Sequence, residues 1–226
     1  MMVQIKPAGD NSIIVYFASE INPKIPALIR KNCQLINKNH SDLIVDLTPS
    51  FTSILINYRN IKHDDFVKLI SKTLVDKIEN NLQVGNKITI PVLYHEALGF
   101  DLKNLAQEKK LDIAELIAIH SQKEYLVYAI GFSPAFAYLA KVDHKIAAAR
   151  LATPRLKIPA GSVGIADTQT AVYPVASAGG WRIIGRTPLD LSLSNPSNLT
   201  KFSIGDKVKF KSINEEEYFK LGGHEF

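Results

Sequence analysis

Three blocks decide the reading of this chain: Gly131–Leu139 (GFSPAFAYL), Thr153–Pro174 (TPRLKIPAGSVGIADTQTAVYP) and Ala176–Pro188 (ASAGGWRIIGRTP). Between Gly131 and Pro188 lie six of the twelve glycines, five of the eleven prolines and the single tryptophan, Trp181. Glycine opens backbone conformations that proline closes, so turn geometry here is narrowly specified. Short β-type runs alternate with these breakers: YLVYAIGF from Tyr125, then SVGIA, AVYPV, WRIIG, LDLSL and KVKFKSI. Many short strands separated by Gly/Pro turns predict a barrel or a sandwich.

The same stretch is electrostatically lopsided. Lys141, Lys145, Arg150, Arg155, Lys157, Arg182 and Arg186 face only Asp143 and Asp167, an excess equal to the net charge of +5 of the whole chain. The remainder is neutral. Such a segment suits either an anionic ligand or a solvated face.

Upstream the style changes. Val3 to Ala8 and Ser12 to Phe17 read as a hairpin around Gly9-Asp10-Asn11, and Asn22 to Lys38 as a helix once past Pro23 and Pro26. Ser41 to Leu47 and Thr52 to Tyr58 are two further strands. Phe66, Ile70, Leu74 and Ile78 recur on one face of a helix spanning His63 to Leu82, with Asp64 and Asp65 at its N-terminus. The order ββαββα predicts a compact α+β domain that ends near Gly85-Asn86. Beyond that boundary Lys87 to Leu93 starts a strand, Asp101 opens a short helix, and Asp112 with Glu115 forms a capping-box-like pair for a helix ending at His120.

The totals limit the functional classes. The 226 residues are 46% hydrophobic and 22% charged, ordinary for a soluble globular protein. No Lys/Arg run is dense enough for a nucleic-acid arm or a polybasic membrane patch, and the apolar runs are too short to span a bilayer. One cysteine, Cys33, forms no internal disulfide, and the N-terminus MMVQIKPAGD lacks a signal-peptide pattern. A cytoplasmic protein is expected.

Several motifs imitate chemistry and fail on physical grounds. Gly180 to Thr187 nearly matches a phosphate loop, but Trp-Arg-Ile-Ile favours extended chain where the loop must curl into a helix. Gly131-Phe132-Ser133-Pro134-Ala135 imitates a nucleophile elbow, yet Pro134 has no N–H to offer an oxyanion, so Ser133 reads as structural. The six histidines show neither HExxH nor HxH spacing, and no metal site is expected. What survives is a set of polar residues held in stiff backbone: Arg155 after Pro154, Ser162 after Gly161, Gln169 and Thr170 in a turn, and Arg186 and Thr187 before Pro188. Side chains pre-positioned in this way suit a carboxylate, phosphate or amide, or else they satisfy loop backbone groups. His120 suits a general base or a packed, dipole-stabilised histidine. Tyr138 and Trp181 suit either a pocket wall or the core, and Trp181 fits the core better.

Taken together, IPVLY, the helix ending AIH, VYAIGFSPAFAYL, TPR, IPAGSVGIA, QT, YP, GGWRIIGRTPL and GDKVKF resemble the family of 5-oxoprolinase B subunits. That family also covers the allophanate-hydrolase subunit 1 domain and the Kip-type inhibitor of a sporulation histidine kinase. The resemblance runs from the first strand to Ile213. It implies an α+β N-terminal domain at residues 1–86 followed by a mainly β, cyclophilin-like barrel at residues 87–226.

It further implies one component of a multi-chain hydrolase, inactive by itself, that helps open the 5-oxoproline lactam to L-glutamate with ATP as co-substrate. Its partners would be the C subunit of 5-oxoprolinase, which resembles allophanate hydrolase subunit 2, and the A subunit. No other cofactor is implied. In that reading His120, Arg155 and Arg186 are catalytic, and Ser162, Gln169, Thr170, Tyr173, Thr187 and Tyr138 bind substrate. The alternative is a regulator that inhibits a sensor histidine kinase. Four positions depart from the family pattern: Ala135 and Ala171 stand where glycine is expected, Ala178 where proline is, and Asp167 where glycine is usual.

Overall fold

The structure, a computed structural model, describes residues 3–77 and 85–225. These fall into two compact units, one up to Gly85 and one from Asn86 onward. In the first, strands β1 (Gln4–Gly9), β2 (Ser12–Tyr16), β3 (Ile44–Ser50) and β4 (Ser53–Tyr58) form a wholly antiparallel array in the order β1-β2-β4-β3. Strict alternation explains its inner face: Ile13, Val15, Ile54, Ile56 and Tyr58 are buried, while their chain neighbours are half-exposed. Helices α1 (Ile25–His40) and α2 (His63–Thr73) supply buried Leu28, Ile29, Ile36, Phe66 and Ile70, and the Phe66 ring stacks on Tyr58 at 3.9 Å.

Helix α2 stops well short of Leu82. Asn32 of α1 captures the backbone of Val75 from both sides: its Oδ1 accepts from Val75 N–H at 3.0 Å and its Nδ2 donates to Val75 C=O at 3.0 Å. Leu74 is therefore already extended, with ψ 143°. The expected continuation through Ile78 lies outside the described residues.

The second unit contains β5 (Lys87–Val92), α3 (Leu102–Lys109), α4 (Ile113–Gln122), β6 (Glu124–Ile130), β7 (Ala137–Ala140), β8 (Arg155–Ile158), β9 (Ser162–Ala166), β10 (Gln169–Val172), β11 (Ser177–Gly179), β12 (Arg182–Arg186), β13 (Lys207–Ser212) and α5 (Glu215–Lys220). Its main strand path is β5-β13-β6-β7-β10-β9-β12, antiparallel throughout except for the parallel pair β5–β13. A separate two-stranded ribbon pairs β8 with β11.

This architecture corrects the expected fold class. Antiparallel sheet is the framework of both units and helices are few, so an α+β N-terminal domain is not evident. Nor do the described strands close into a cyclophilin-like barrel. Among the described residues no strand pair closes the path: beyond β5 and at the end of β12 its two ends are joined only by an isolated bridge, Leu93 with Arg186. The segment LDLSL is not a strand either. Asp190 accepts from the Ser192 N–H and the Ser194 hydroxyl, and Asn198 Nδ2 donates to the carbonyls of Asp190 and Ser192, so local turn bonds replace a ladder.

Asp112 starts α4, but its side chain makes no capping bond.

Candidate functional site

Strand parity sorts the candidate residues. In β9, Val163 and Ile165 join the main core with Leu139, Val172, Tyr125 and Phe210. Ala166 instead joins a second cluster with Phe136, Ile158, Ala171, Tyr173, Trp181 and Ile183, against which Tyr138 packs. Because alternate residues face opposite sides, Ser162 belongs to this second face, as does its cross-strand partner Arg186. Gln169, Ala171 and Tyr173 share that face, whereas Thr170 and Val172 point into the main core. Ser162, Gln169, Tyr173, Tyr138 and Arg186 thus lie on one side of the sheet, and Thr170 and His120 on the other.

His120 is wholly buried in the main core. The Thr170 hydroxyl donates to the Gly164 carbonyl at 2.9 Å, so it must accept from His120 Nε2–H, also at 2.9 Å. Nε2 therefore carries the proton, and Nδ1 accepts from the Tyr94 hydroxyl at 2.8 Å. The ring stacks on Phe210 with centroids 4.6 Å apart. Burial lowers its pKa to about 3, which keeps it neutral. With both nitrogens engaged, His120 binds α4 to the sheet.

Arg155 is equally committed. Its two terminal nitrogens donate to the two carboxylate oxygens of Asp101, each at 2.9 Å, and its guanidinium lies 5.6 Å from the Phe100 ring centre. Asp101 Oδ2 also accepts from the Ile183 N–H at 2.7 Å. A residue that reads as a helix opener is thus a buried anchor between α3, β8 and β12. Its signal in the sequence was only a polar residue after the exposed Phe100.

Of the other cations, Arg182 pairs with Glu108 at 3.3 Å and Arg150 lies over the Trp181 ring at 5.9 Å. Lys141, Lys145 and Lys157 are exposed.

Arg186 differs from these. Among the described residues its guanidinium has no acidic partner, and its Nε is buried without any hydrogen-bond partner. Across the strand pair, the Ser162 hydroxyl is also buried and unpartnered. The backbone around them is firmly placed. Gly161 N–H donates to Tyr173 C=O at 2.7 Å, Tyr173 N–H to Ser162 C=O at 2.9 Å, and Thr187 N–H to Gly161 C=O at 2.9 Å. Gly161 has φ +78°, and a Cβ there would sit 2.6 Å from the Thr187 carbonyl oxygen and 3.2 Å from Arg186 Cγ. Thr187 is buried, and its hydroxyl accepts from Leu189 N–H at 3.3 Å.

Gln169 sits at the far end of the same face, opposite Ala166. Three strand residues lie between it and Tyr173, a backbone span of about 13 Å.

Aromatic rings wall the face. Phe136 meets Tyr138, Tyr173 and Trp181 edge-on with centroids 4.9, 5.4 and 5.7 Å apart. Burial pushes the Tyr173 phenol up to about 12 and raises that of Tyr138, in both cases partly offset by the Arg150 charge. The loop from Gly131 to Phe136 borders this wall. Phe132 is 63% exposed at φ +72°, and its ring meets Phe136 and Tyr173 edge-on. Ser133, read as structural, has a buried hydroxyl without a partner, as does Ser177 on β11. Ala135 (φ +62°) and Asp167 (φ +52°) occupy left-handed backbone, the conformation that explains an expected glycine. Ala171 does not. It lies in β10 with its side chain buried in the aromatic cluster.

Residues 3–199 match the family described as carboxyltransferase domain, subdomain C and D. The chain is 36% identical over 227 residues to the 5-oxoprolinase B subunit of Bacillus subtilis, covering 95% of both. It is 40% identical over 146 residues to the protein of that name from Haemophilus influenzae, covering 62% of this chain and 68% of the other. A urea amidolyase of Lachancea kluyveri is 26% identical over 253 residues, and the match occupies 14% of that longer protein.

Among solved structures, an uncharacterized protein of Pyrococcus horikoshii is 40% identical with a TM-score of 0.56, covering 95% of this chain and 100% of the other. The protein TTHA0988 aligns with a TM-score of 0.78 at 23% identity over 94% of this chain, which spans 40% of that one. Kluyveromyces lactis urea carboxylase aligns at 0.73 with 18% identity over 97% of this chain and 22% of that protein. No helix among the described residues is long and apolar enough to cross a membrane.

Proposed function

The chain belongs to the carboxyltransferase C/D-domain family, and within it to the 5-oxoprolinase B subunits, and from that premise we propose that it serves as the B subunit of an ATP-dependent 5-oxoprolinase. The observation that carries this is the 36% identity to a 5-oxoprolinase B subunit over 95% of both chains. The reaction is hydrolysis of the 5-oxoproline lactam to L-glutamate, coupled to cleavage of ATP to ADP and phosphate. Amide resonance makes the lactam carbonyl a poor electrophile, and phosphorylation of its oxygen supplies the leaving group that water alone lacks.

This chain's contribution is binding and orientation on the aromatic face, where Ser162, Tyr173, Tyr138 and Arg186 meet substrate and Gln169 borders it. His120, Thr170, Thr187 and Arg155 hold those strands in place. The C subunit, resembling allophanate hydrolase subunit 2, completes the site, and the A subunit joins the complex. The urea amidolyase relatives, in which the matching segment is a small part of a longer chain, support assembly with further domains. A cytoplasmic location fits the lone cysteine, the half-buried Cys33, whose thiol is pushed up to about 12 by desolvation. Nothing in the fold or the relatives favours a kinase regulator.

The test is reconstitution. The chain alone is expected to hydrolyse no ATP, and the complex with the A and C subunits is expected to hydrolyse ATP only when 5-oxoproline is present. A stable complex with no 5-oxoproline-dependent ATP consumption refutes the reading.

A further inference from the structure

We infer that Ser162 and Arg186 form a subsite on this chain alone that binds the carboxylate of a small organic acid. It rests on the 5-oxoprolinase reading only for the identity of that acid. The starting observation is a polar deficit. Buried polar atoms are normally hydrogen-bonded, and leaving one without a partner costs stability. Here two such atoms, Ser162 Oγ and Arg186 Nε, belong to cross-strand partners on the same face of one sheet. Arg155 and Arg182 each reach a carboxylate, Asp101 and Glu108, and Arg150 lies over the Trp181 ring. Arg186 has no carboxylate partner among the described residues.

Its stem is also held. Gly161 at φ +78° lets the chain pass close to Arg186 Cγ, and the backbone of Arg186 exchanges both hydrogen bonds with Leu93 at 2.9 and 3.0 Å. A donor pair held in this way loses little entropy on binding. Arg186 itself is half-buried, so the subsite opens to solvent on the arginine side.

The surroundings choose the anion. Besides Arg186 the face presents Tyr173, Trp181, Phe136 and Ile183, and its second cation, the exposed Arg150, is engaged over the Trp181 ring, so Arg186 is the guanidinium left to pair with an anion in largely apolar company. One guanidinium neutralises a monoanion. A phosphate dianion would bring a second, uncompensated charge into this low-dielectric setting. A planar carboxylate also matches the guanidinium fork, with one oxygen accepting from Nε–H and the other from the serine hydroxyl or a terminal nitrogen.

The full chain is titrated calorimetrically with 5-oxoproline, with 2-pyrrolidinone, which is the same lactam without the carboxylate, and with inorganic phosphate. The variants are Arg186→Lys and Ser162→Ala. The wild type is expected to bind 5-oxoproline, Arg186→Lys to weaken it about tenfold or more, and Ser162→Ala several-fold. 2-Pyrrolidinone is expected to bind more weakly and to respond to neither variant. Because Ser162→Ala removes an unpartnered buried hydroxyl, its melting temperature is expected to stay level or rise, which separates lost binding from lost folding.

Equal 5-oxoproline affinity in wild type and Arg186→Lys overturns the subsite, as does no binding to the wild type, or phosphate binding more tightly than the carboxylate. The enzyme reading is judged separately. If the reconstituted complex turns over while the titration fails, only the subsite falls. If Arg186-dependent carboxylate binding is found without turnover, the subsite stands and the enzyme reading falls.

Discussion

Acid should weaken the second unit through one histidine. His120 has a folded pKa of about 3 against an ordinary value of 6.5, because burial disfavours the imidazolium and the groups facing the ring are Tyr94, Thr170, Tyr125 and Phe210, none of them anionic at neutral pH. The unfolded chain therefore takes up the proton first as pH falls. The stability from holding the ring neutral is complete above 6.5 and drains away as pH falls towards 3. Within that window the slope approaches about 1.4 kcal/mol per pH unit, so moving from pH 8 to pH 5 removes about 2 kcal/mol.

The measurement is urea unfolding at several pH values followed by the fluorescence of Trp181, the single tryptophan, which is buried in the same unit. The chain holds five other histidines, so the informative quantity is the difference between wild type and His120→Gln. Wild type should lose about 2 kcal/mol more than the variant. Should the variant fail to fold, the ring proton resonances of His120 serve instead and should not shift between pH 8 and pH 5. Parallel unfolding profiles, or a ring that titrates near 6.5 in the folded protein, would refute the buried, doubly bonded imidazole.

Backbone and ion-pair features give three further expectations. Ala135→Gly relieves a left-handed alanine and should stabilise the second unit by about 1 kcal/mol, read as a rise of a few degrees in its thermal transition; a fall would show that the lost methyl matters more than the strain. Gly161→Ala places a Cβ 2.6 Å from the Thr187 carbonyl oxygen at a positive φ, and should cost about 2 kcal/mol or more in thermal unfolding; an unchanged transition would contradict the close approach. Asp101→Ala strands the Arg155 guanidinium and the Ile183 N–H together, and a loss of about 3 kcal/mol in urea unfolding is expected, whereas a loss below about 1 kcal/mol would demote the pair to a surface ion pair.

The strands of the first unit were legible because β-rich runs such as Ile13 to Val15 and Ile54 to Tyr58 adjoin turn residues, and the alternation along them is one of burial, which the pleat imposes, rather than of hydropathy. The same logic went blind in β9. All five of its residues are buried, and with no contrast between faces the sequence carries no mark of which side Ser162 occupies. Helix α2 was overextended because its stop is Asn32, 43 residues from the Val75 backbone it captures. The LDLSL segment misled for a related reason: its alternation fits a strand, but Asp190 and Asn198 satisfy its backbone locally. His120 was readable as a helix-end residue, yet its bonding partners Tyr94 and Thr170 lie 26 and 50 positions away.

The family, the glycine and proline punctuation, and the excess of cations between Gly131 and Thr187 were all determined by the order of residues. They are statements about local conformation and composition, which short stretches of chain express by themselves. Which of those cations remains available was decided only in three dimensions. Charges attract through space with a strength set by their separation and the dielectric between them, and sequence distance does not enter. Asp101 reaches Arg155 across 54 residues and Glu108 reaches Arg182 across 74, and folding leaves Arg186 beside a serine that has likewise found no partner.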